Sequence, residues 1–405
     1  MDRRVVVVIA WTCMLMLAGC TTDSQQPATV PVPTEGPTAA PTPGAAPTTA
    51  AAPSPEPEPT SSAPRPSPSS PEPTPLQGPE PGPAPEPVIV AVIDSGIRAD
   101  HAAFQEGQVV AWYDFGQGGE SSVPPVLWDP ETGPYDDDGH GTAVASMVGG
   151  ISSGHTPSHA PGVRLAVAKT ATGDEGHYWQ DVANAITWAT DVVGADVVTM
   201  SVYSYNIVIA PSGLDGGLDA IAYARSKGVL PVMLAGNGNQ NMGIPTLSWM
   251  HPPASSPHAL VVGGADEDGA PVAPLGSMDP EVTALYYVDV ACNGGPTCYD
   301  SWSGTSFSTP LVAGMAAHLI GAARAAGMED PDPDRLEELL KNAARDGALY
   351  PPMLEGYGFL DAEALAVAEE HLLAGTTPER DAVGQASAAY VENVQQTERE
   401  AWTTL

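Results

Sequence analysis

The sequence predicts an α/β domain with a mainly parallel central sheet and helices on both faces, and three observations predict it. First, Val88-Ile89-Val90-Ala91-Val92-Ile93 is a continuous, largely β-branched run. A strand wetted on one face alternates apolar with polar residues, so an unbroken run points to a strand buried on both faces, as in a parallel sheet. Second, similar runs recur at Arg164–Lys169, Ala195–Ser201, Gly228–Leu234 and Ala259–Gly263. Third, helical patterns lie between them, over Trp179–Val192 and Gly216–Lys227, so strand and helix alternate. A further helix is expected from Thr142. A long small-residue helix should start near Ser306 and run to Ala326, because Pro310 is tolerated in a first turn.

This domain does not fill the chain of 405 residues. Half of the 44 prolines crowd into the N-terminal stretch that ends at Pro87. Residues 20–87 are Pro, Ala, Thr, Ser and Glu with almost no large apolar side chain. Such a segment cannot bury enough surface to offset its chain entropy and is expected to be disordered. In the polyproline conformation it would reach roughly 200 Å, a spacer that lifts a domain off a membrane. The folded domain spans residues 88–372. Residues 373–405 are polar and acidic and read as a loosely ordered tail.

Charge and cysteine content narrow the classes of function. The chain holds 49 Asp and Glu against 14 Lys and Arg, a formal net charge of −35. That surface repels nucleic acid and anionic lipid. Four cysteines are too few for a small disulfide scaffold. Residues 1–19 read as an export signal: Arg3 and Arg4, then an apolar run from Val5 to Leu17, shorter than the roughly 18–20 residues that span a bilayer. Leu17-Ala18-Gly19-Cys20 resembles a bacterial lipobox, which implies cleavage before Cys20 and lipid on its sulfur. The expected location is the extracellular face of a bacterial membrane. Cys292 and Cys298, in a turn-rich stretch with Gly294, Gly295 and Pro296, are expected to form a disulfide in that oxidising compartment and to stiffen the approach to Ser306.

Three residues are candidates for chemistry. Asp94 ends the first strand, at the sheet edge where α/β proteins bind ligands, and an acid directly after a buried run needs a partner. His140 stands between Gly139 and Gly141, after Asp136-Asp137-Asp138 and before a helix start. Those acids read equally as a solvated helix cap or a weak cation site. Ser306, in Ser303-Gly304-Thr305-Ser306, falls at the positive end of a helix, where free N–H groups favour a developing oxyanion. It also reads as an N-cap serine.

Asp94-Ser95-Gly96, Gly139-His140-Gly141-Thr142 and Gly304-Thr305-Ser306 with Thr309-Pro310 resemble the three signatures of the subtilisin family, in that family's order Asp, His, Ser. Ala235-Gly236-Asn237 and Gly356-Tyr357-Gly358 resemble two further segments of it. The resemblance implies a three-layer subtilisin-like fold and a serine endopeptidase acting on polypeptides. It implies Asp94, His140 and Ser306 as the catalytic triad, with Asn237 as the oxyanion-hole donor. It implies no catalytic cofactor. Structural calcium is common in the family, but no stretch here builds a recognisable site. A monomer without nucleic-acid partners is expected.

The chain also departs from the family. Its substrate-binding strand reads Ser201-Val202-Tyr203, with tyrosine where glycine normally opens the pocket. Tyr203 there would favour small residues before the cleaved bond. Ala143 and Ser146 replace a second histidine and a glycine, with packing consequences expected. No folding propeptide is legible before the first strand, so the domain is expected to fold unaided or with help from a separate chain. A catalytically weak binding protein at the cell surface, or an esterase, stays open as the alternative.

Overall fold

The first apolar run becomes β1 (Ile89–Asp94), and after its first residue every side chain is buried. The computed structural model describes residues 85–116, 133–151, 156–171, 179–202, 215–237, 246–247, 256–272, 277–346 and 350–402. All belong to one unit, Gly78–Leu405; a second unit, Met1–Gln77, lies outside the described residues, with the export signal, Cys20 and most of the spacer.

In chain order the strands and helices begin with β2 (Val109–Asp114), α1 (His140–Gly149), β3 (Arg164–Lys169), α2 (Trp179–Trp188), β4 (Val197–Met200), α3 (Asp215–Ser226) and β5 (Leu230–Leu234). Next come β6 (Thr246–Leu247), β7 (Leu260–Ala265), β8 (Ser277–Met278), β9 (Val282–Leu285), β10 (Tyr287–Ala291) and β11 (Tyr299–Ser303). Five helices follow: α4 (Thr305–Ala325), α5 (Pro333–Ala343), α6 (Pro352–Glu355), α7 (Ala362–Ala374) and α8 (Ala382–Trp402).

Seven strands form one parallel sheet in the order β2-β3-β1-β4-β5-β7-β9. The expected architecture is present, and alternate side chains of each strand serve opposite layers. Val90 and Val92, with Leu165, Val167, Val232 and Val262, join the core under α1 and α4. Ala91 and Ile93, with Ala166, Ala168, Val198 and Met233, join the core under α2 and α3. Both faces are covered, which is why these runs lack alternation.

The two strands of this sheet not anticipated from the sequence, β2 and β9, are its edges. An edge strand need not be apolar throughout, and β2 is only partly buried. The edge of β9 is covered by the Gly356–Ala362 segment, where Thr283 N–H donates to the Gly358 carbonyl at 2.9 Å and Leu360 N–H to the Thr283 carbonyl at 2.8 Å. The helix expected over Trp179–Val192 is α-helical to Trp188. It then widens into a π-turn over Ala189–Val193 that ends at Gly194 in the left-handed region.

Two expectations are corrected. The tail after Leu373 is not loose: α7 continues to Ala374, and α8 docks through Gly384, Ser387, Ala388, Val391, Val394 and Gln395. Val391 enters the main core, and Tyr390 Oη donates to Asp279 at 3.1 Å. The stripe follows helical spacing, but small and polar residues make it up, so no apolar pattern advertised it. Pro310, expected in the first turn, is the sixth residue of α4. The helix tolerates it for a reason found at the site.

Candidate active site

The chain leaves β1 on one side to build β3 and β2, then returns to build β4 on the other. Strand order reverses beside β1, and in open α/β sheets the crevice at the carboxyl ends near such a reversal binds ligands. Asp94 is the last residue of β1 and fully buried. Its Oδ1 accepts from Ser95 N–H at 2.7 Å and from His140 Nδ1 at 2.8 Å.

Glycines let the two loops meet. A Cβ at Gly141 would lie 2.2 Å from the Gly96 carbonyl oxygen. Gly139, at φ 103, turns the chain into α1. Asp136 then fixes the histidine loop. Its Oδ1 accepts from Ser95 Oγ (2.9 Å) and Gly139 N–H (2.8 Å), while Oδ2 accepts from Thr142 N–H (2.8 Å) and Oγ1 (2.6 Å). The N-cap of α1 is Gly139, and Asp136, from outside the helix, takes up the first-turn N–H of Thr142. Asp138 accepts from His140 N–H at 3.0 Å, and Asp137 pairs with Lys169. Lys169 is buried, ends β3 opposite Asp94, and also donates to the Ser95 carbonyl at 2.7 Å. Sequence reading missed Lys169; a cation closing an apolar strand was the available signal.

The His140 ring is about a quarter exposed. Burial by itself would lower its pKa. The charge of Asp94 and their hydrogen bond outweigh that, with Asp138 and Asp136 adding to them, so the pKa stands above the usual histidine value. An ionised carboxylate only accepts, so Nδ1 carries the proton and Nε2 presents a lone pair.

Ser306 is the second residue of α4 and buried; the N-cap is Gly304. The capping reading of Ser306 is thereby replaced. Its N–H lies in the first turn, where no preceding turn supplies an acceptor. Its carbonyl would normally accept from residue 310, but Pro310 has no N–H. Ser201 Oγ donates to that carbonyl at 2.7 Å and takes the missing place. This is how an interior proline is accommodated and why the end of β4 stays against the start of α4. Ser201 and Val202 are both buried. Tyr203 lies outside the described residues.

Asn237 follows β5, and its Oδ1 accepts from Thr305 N–H at 2.8 Å and Thr305 Oγ1 at 3.0 Å. With the oxygen so occupied, Nδ2 is left as the donor, beside Gly304. Phe307, next to Ser306, lies 5.6 Å from the His140 ring, and Trp302 lies 6.2 Å from it. The two aromatic rings, edge to face at 5.6 Å, hold the imidazole beside the start of α4. No hydrogen bond joins Ser306 to His140; such bonds are often long before substrate binds. Ser146, expected to matter only for packing, also accepts from Ala291 N–H at 3.2 Å and so ties α1 to β10. Cys292 and Cys298 form the expected disulfide. Among the described residues, no group of three or more His, Cys, Asp or Glu side chains is arranged to hold a metal ion.

A buried carboxylate–imidazole pair, a serine at a helix start and two amide donors can together support acyl transfer. Fold and relatives alike define a serine-type endopeptidase. The Subtilase family model matches residues 86–359, and the chain belongs to that family. Thermitase from Thermoactinomyces vulgaris is 29% identical over 248 residues, 58% of this chain and 76% of thermitase. The serine protease AprX from Bacillus subtilis is 26% identical over 314 residues, 68% of this chain and 65% of AprX. Subtilisin E from the same species is 29% identical over 239 residues, 58% of this chain and 55% of that protein. The chain thus spans less than two thirds of AprX and of subtilisin E. Among solved structures, a serine-to-alanine mutant of the protease domain of PatA is similar with a TM-score of 0.56 and 25% identity, over 72% of this chain and 96% of that one.

Proposed function

We propose that this chain is an exported, lipid-anchored serine endopeptidase that hydrolyses polypeptides through Asp94, His140 and Ser306. The observation that carries the reading is the 2.8 Å bond from His140 Nδ1 to buried Asp94, with the same imidazole set against Phe307 beside Ser306. Ser306 Oγ attacks the peptide carbonyl carbon while His140 Nε2 takes its proton. The oxyanion of the tetrahedral intermediate is met by Asn237 Nδ2 and the Ser306 N–H. His140 then gives the proton to the leaving amine, whose departure leaves an acyl-enzyme, and water attacks that ester by the same steps in reverse. Asp94 holds the tautomer and stabilises the imidazolium. All these groups belong to the chain itself, so the steps call on no cofactor. By the family resemblance Ser201, Val202 and Tyr203 stand in the substrate-binding strand, and tyrosine where glycine is usual would favour small residues before the cleaved bond.

A fluorophosphonate tests the chemistry, because only an activated serine displaces its fluoride. Labelling confined to Ser306, with peptide turnover, is the expected outcome. A folded, oxidised protein that never labels would leave the binding-protein alternative. Asn237→Ala should lower kcat by about 10²–10³ with KM little changed; that scale was measured on an oxyanion-hole asparagine of subtilisin itself.

Anchoring rests on Leu17-Ala18-Gly19-Cys20 and the proline-rich segment behind it. Expressed in a bacterial host, the protein should sediment with membranes, and Cys20→Ala should release it or block its processing. Equal release of both forms into the medium rules the anchor out. The acidic surface offers no electrostatic substitute.

A further inference from the structure

Cys292 and Cys298 close a loop between β10 and β11, with their α-carbons 5.2 Å apart. The loop lies against both chain segments that carry the carboxylate–imidazole pair. On the histidine side, Asn293 Nδ2 donates to the Asp136 carbonyl at 3.2 Å. Its amide also covers Gly139, the residue before His140, where a Cβ would stand 2.9 Å from Asn293 Cγ.

On the aspartate side, the segment that follows Asp94-Ser95-Gly96 donates three hydrogen bonds into the loop. Arg98 Nη1 reaches the Asn293 carbonyl at 2.8 Å, Ala102 N–H the Pro296 carbonyl at 2.6 Å, and His101 Nε2 the Cys298 carbonyl at 2.7 Å. The His101 tautomer is set by Ala103 N–H, which donates to Nδ1 at 3.0 Å. Every one of these contacts on the aspartate side uses a backbone carbonyl of the loop. They therefore depend on the loop's conformation, not on its side chains. Two adjacent glycines, Gly294 and Gly295, leave such a loop many conformations, and the crosslink removes most of them.

We propose that the Cys292–Cys298 loop is a positioning element for the Asp94–His140 pair, with Asn293 as its contact residue, so that turnover requires the oxidised loop. The inference rests on the peptidase reading above and adds a redox requirement to it. Cleavage of the bond needs a dithiol. One thiolate attacks a cysteine sulfur and forms a mixed disulfide, and the second thiol closes on it. Two electrons pass to the protein, leaving two cysteine thiols and one oxidised, cyclic reductant. Gly294, Pro296 and Thr297 are exposed, so the loop is open to such a reagent.

The test uses the intact protein and dithiothreitol, with fluorophosphonate labelling as the first readout. Reduction should slow labelling on the order of 10²-fold, the scale of a misplacement of about 1 Å in a catalytic group. Far-UV circular dichroism should stay unchanged, and reoxidation should restore the rate. Asn293→Ala, with the disulfide kept, should lower kcat at constant KM. It should also move the acid limb of the pH profile downward, as the His140–Asp94 bond loosens. Thr297→Ala, on the same loop but exposed, should match wild type. Oxidised protein that labels, with reduced and Asn293→Ala forms labelling equally fast on an unmoved acid limb, overturns the inference and leaves the peptidase reading intact. Oxidised wild type that never labels overturns both.

Discussion

Ser306→Ala should lower kcat by about 10⁶-fold while leaving the thermal transition within a degree or two of wild type. That scale is the one measured on the nucleophile of subtilisin, a member of the same family. The separation of activity from stability follows from the structure of this chain. Ser306 is a buried first-turn residue, but the cap of α4 is Gly304 and the hydroxyl closes no helix end. Its backbone bond from Ser201 uses the carbonyl, which alanine keeps. Substrate affinity should change little, because the oxyanion donors become important only as charge develops. Steady-state turnover of a peptide anilide, with a melt recorded alongside, checks both halves. Residual activity within tenfold of wild type removes Ser306 from the nucleophile role.

The second large effect is expected at Asp94→Asn. Losing the carboxylate that holds such an imidazole costs about 10⁴ in kcat where it has been measured, because the wrong tautomer is presented to the nucleophile. Here a shift of the pH profile should accompany the loss, and its sign can be worked out. His140 must be neutral to accept the Ser306 proton. Its pKa is raised because Asp94 outweighs a burial effect that by itself lowers it. The wild-type acid limb therefore falls above the ordinary histidine value, and activity disappears as pH drops through it. With asparagine, burial loses its main opponent and the pKa falls. The remaining activity of the variant should then persist to lower pH than wild type. Profiles of kcat/KM from pH 4 to 9 for both proteins decide it. A limb at unchanged pH would mean that Asp94 does not control the imidazole.

Both predictions concern residues that could be found without coordinates. Gly139-His140-Gly141 is legible because both flanking positions demand glycine: Gly141 packs against Gly96, and Gly139 takes a positive φ against Asn293. The position of Asp94 is legible because an acid ends an apolar strand. Sequence reading missed β2 although Val109-Val110-Ala111-Trp112-Tyr113 is an apolar run; its place at the sheet edge beside β3 emerges only from the pairing. It missed α8 because that helix buries glycine, serine, alanine and glutamine along with two valines.

By itself the sequence determined the parallel α/β architecture, since strands buried on both faces must be apolar at every position. It also determined where polar groups stand at the ends of those strands, since chemistry and tight turns each demand particular residues. Only the tertiary structure decided how those groups are held. Asp136 gathers donors from two loops, Lys169 joins the ends of β1 and β3, and Ser201 supplies the bond that Pro310 cannot. The Cys292–Cys298 loop comes to rest against segments about 150 to 200 positions away in the chain. Such partners share no local pattern: a hydrogen bond between residues far apart constrains each of them only to be polar, and many polar residues meet that condition.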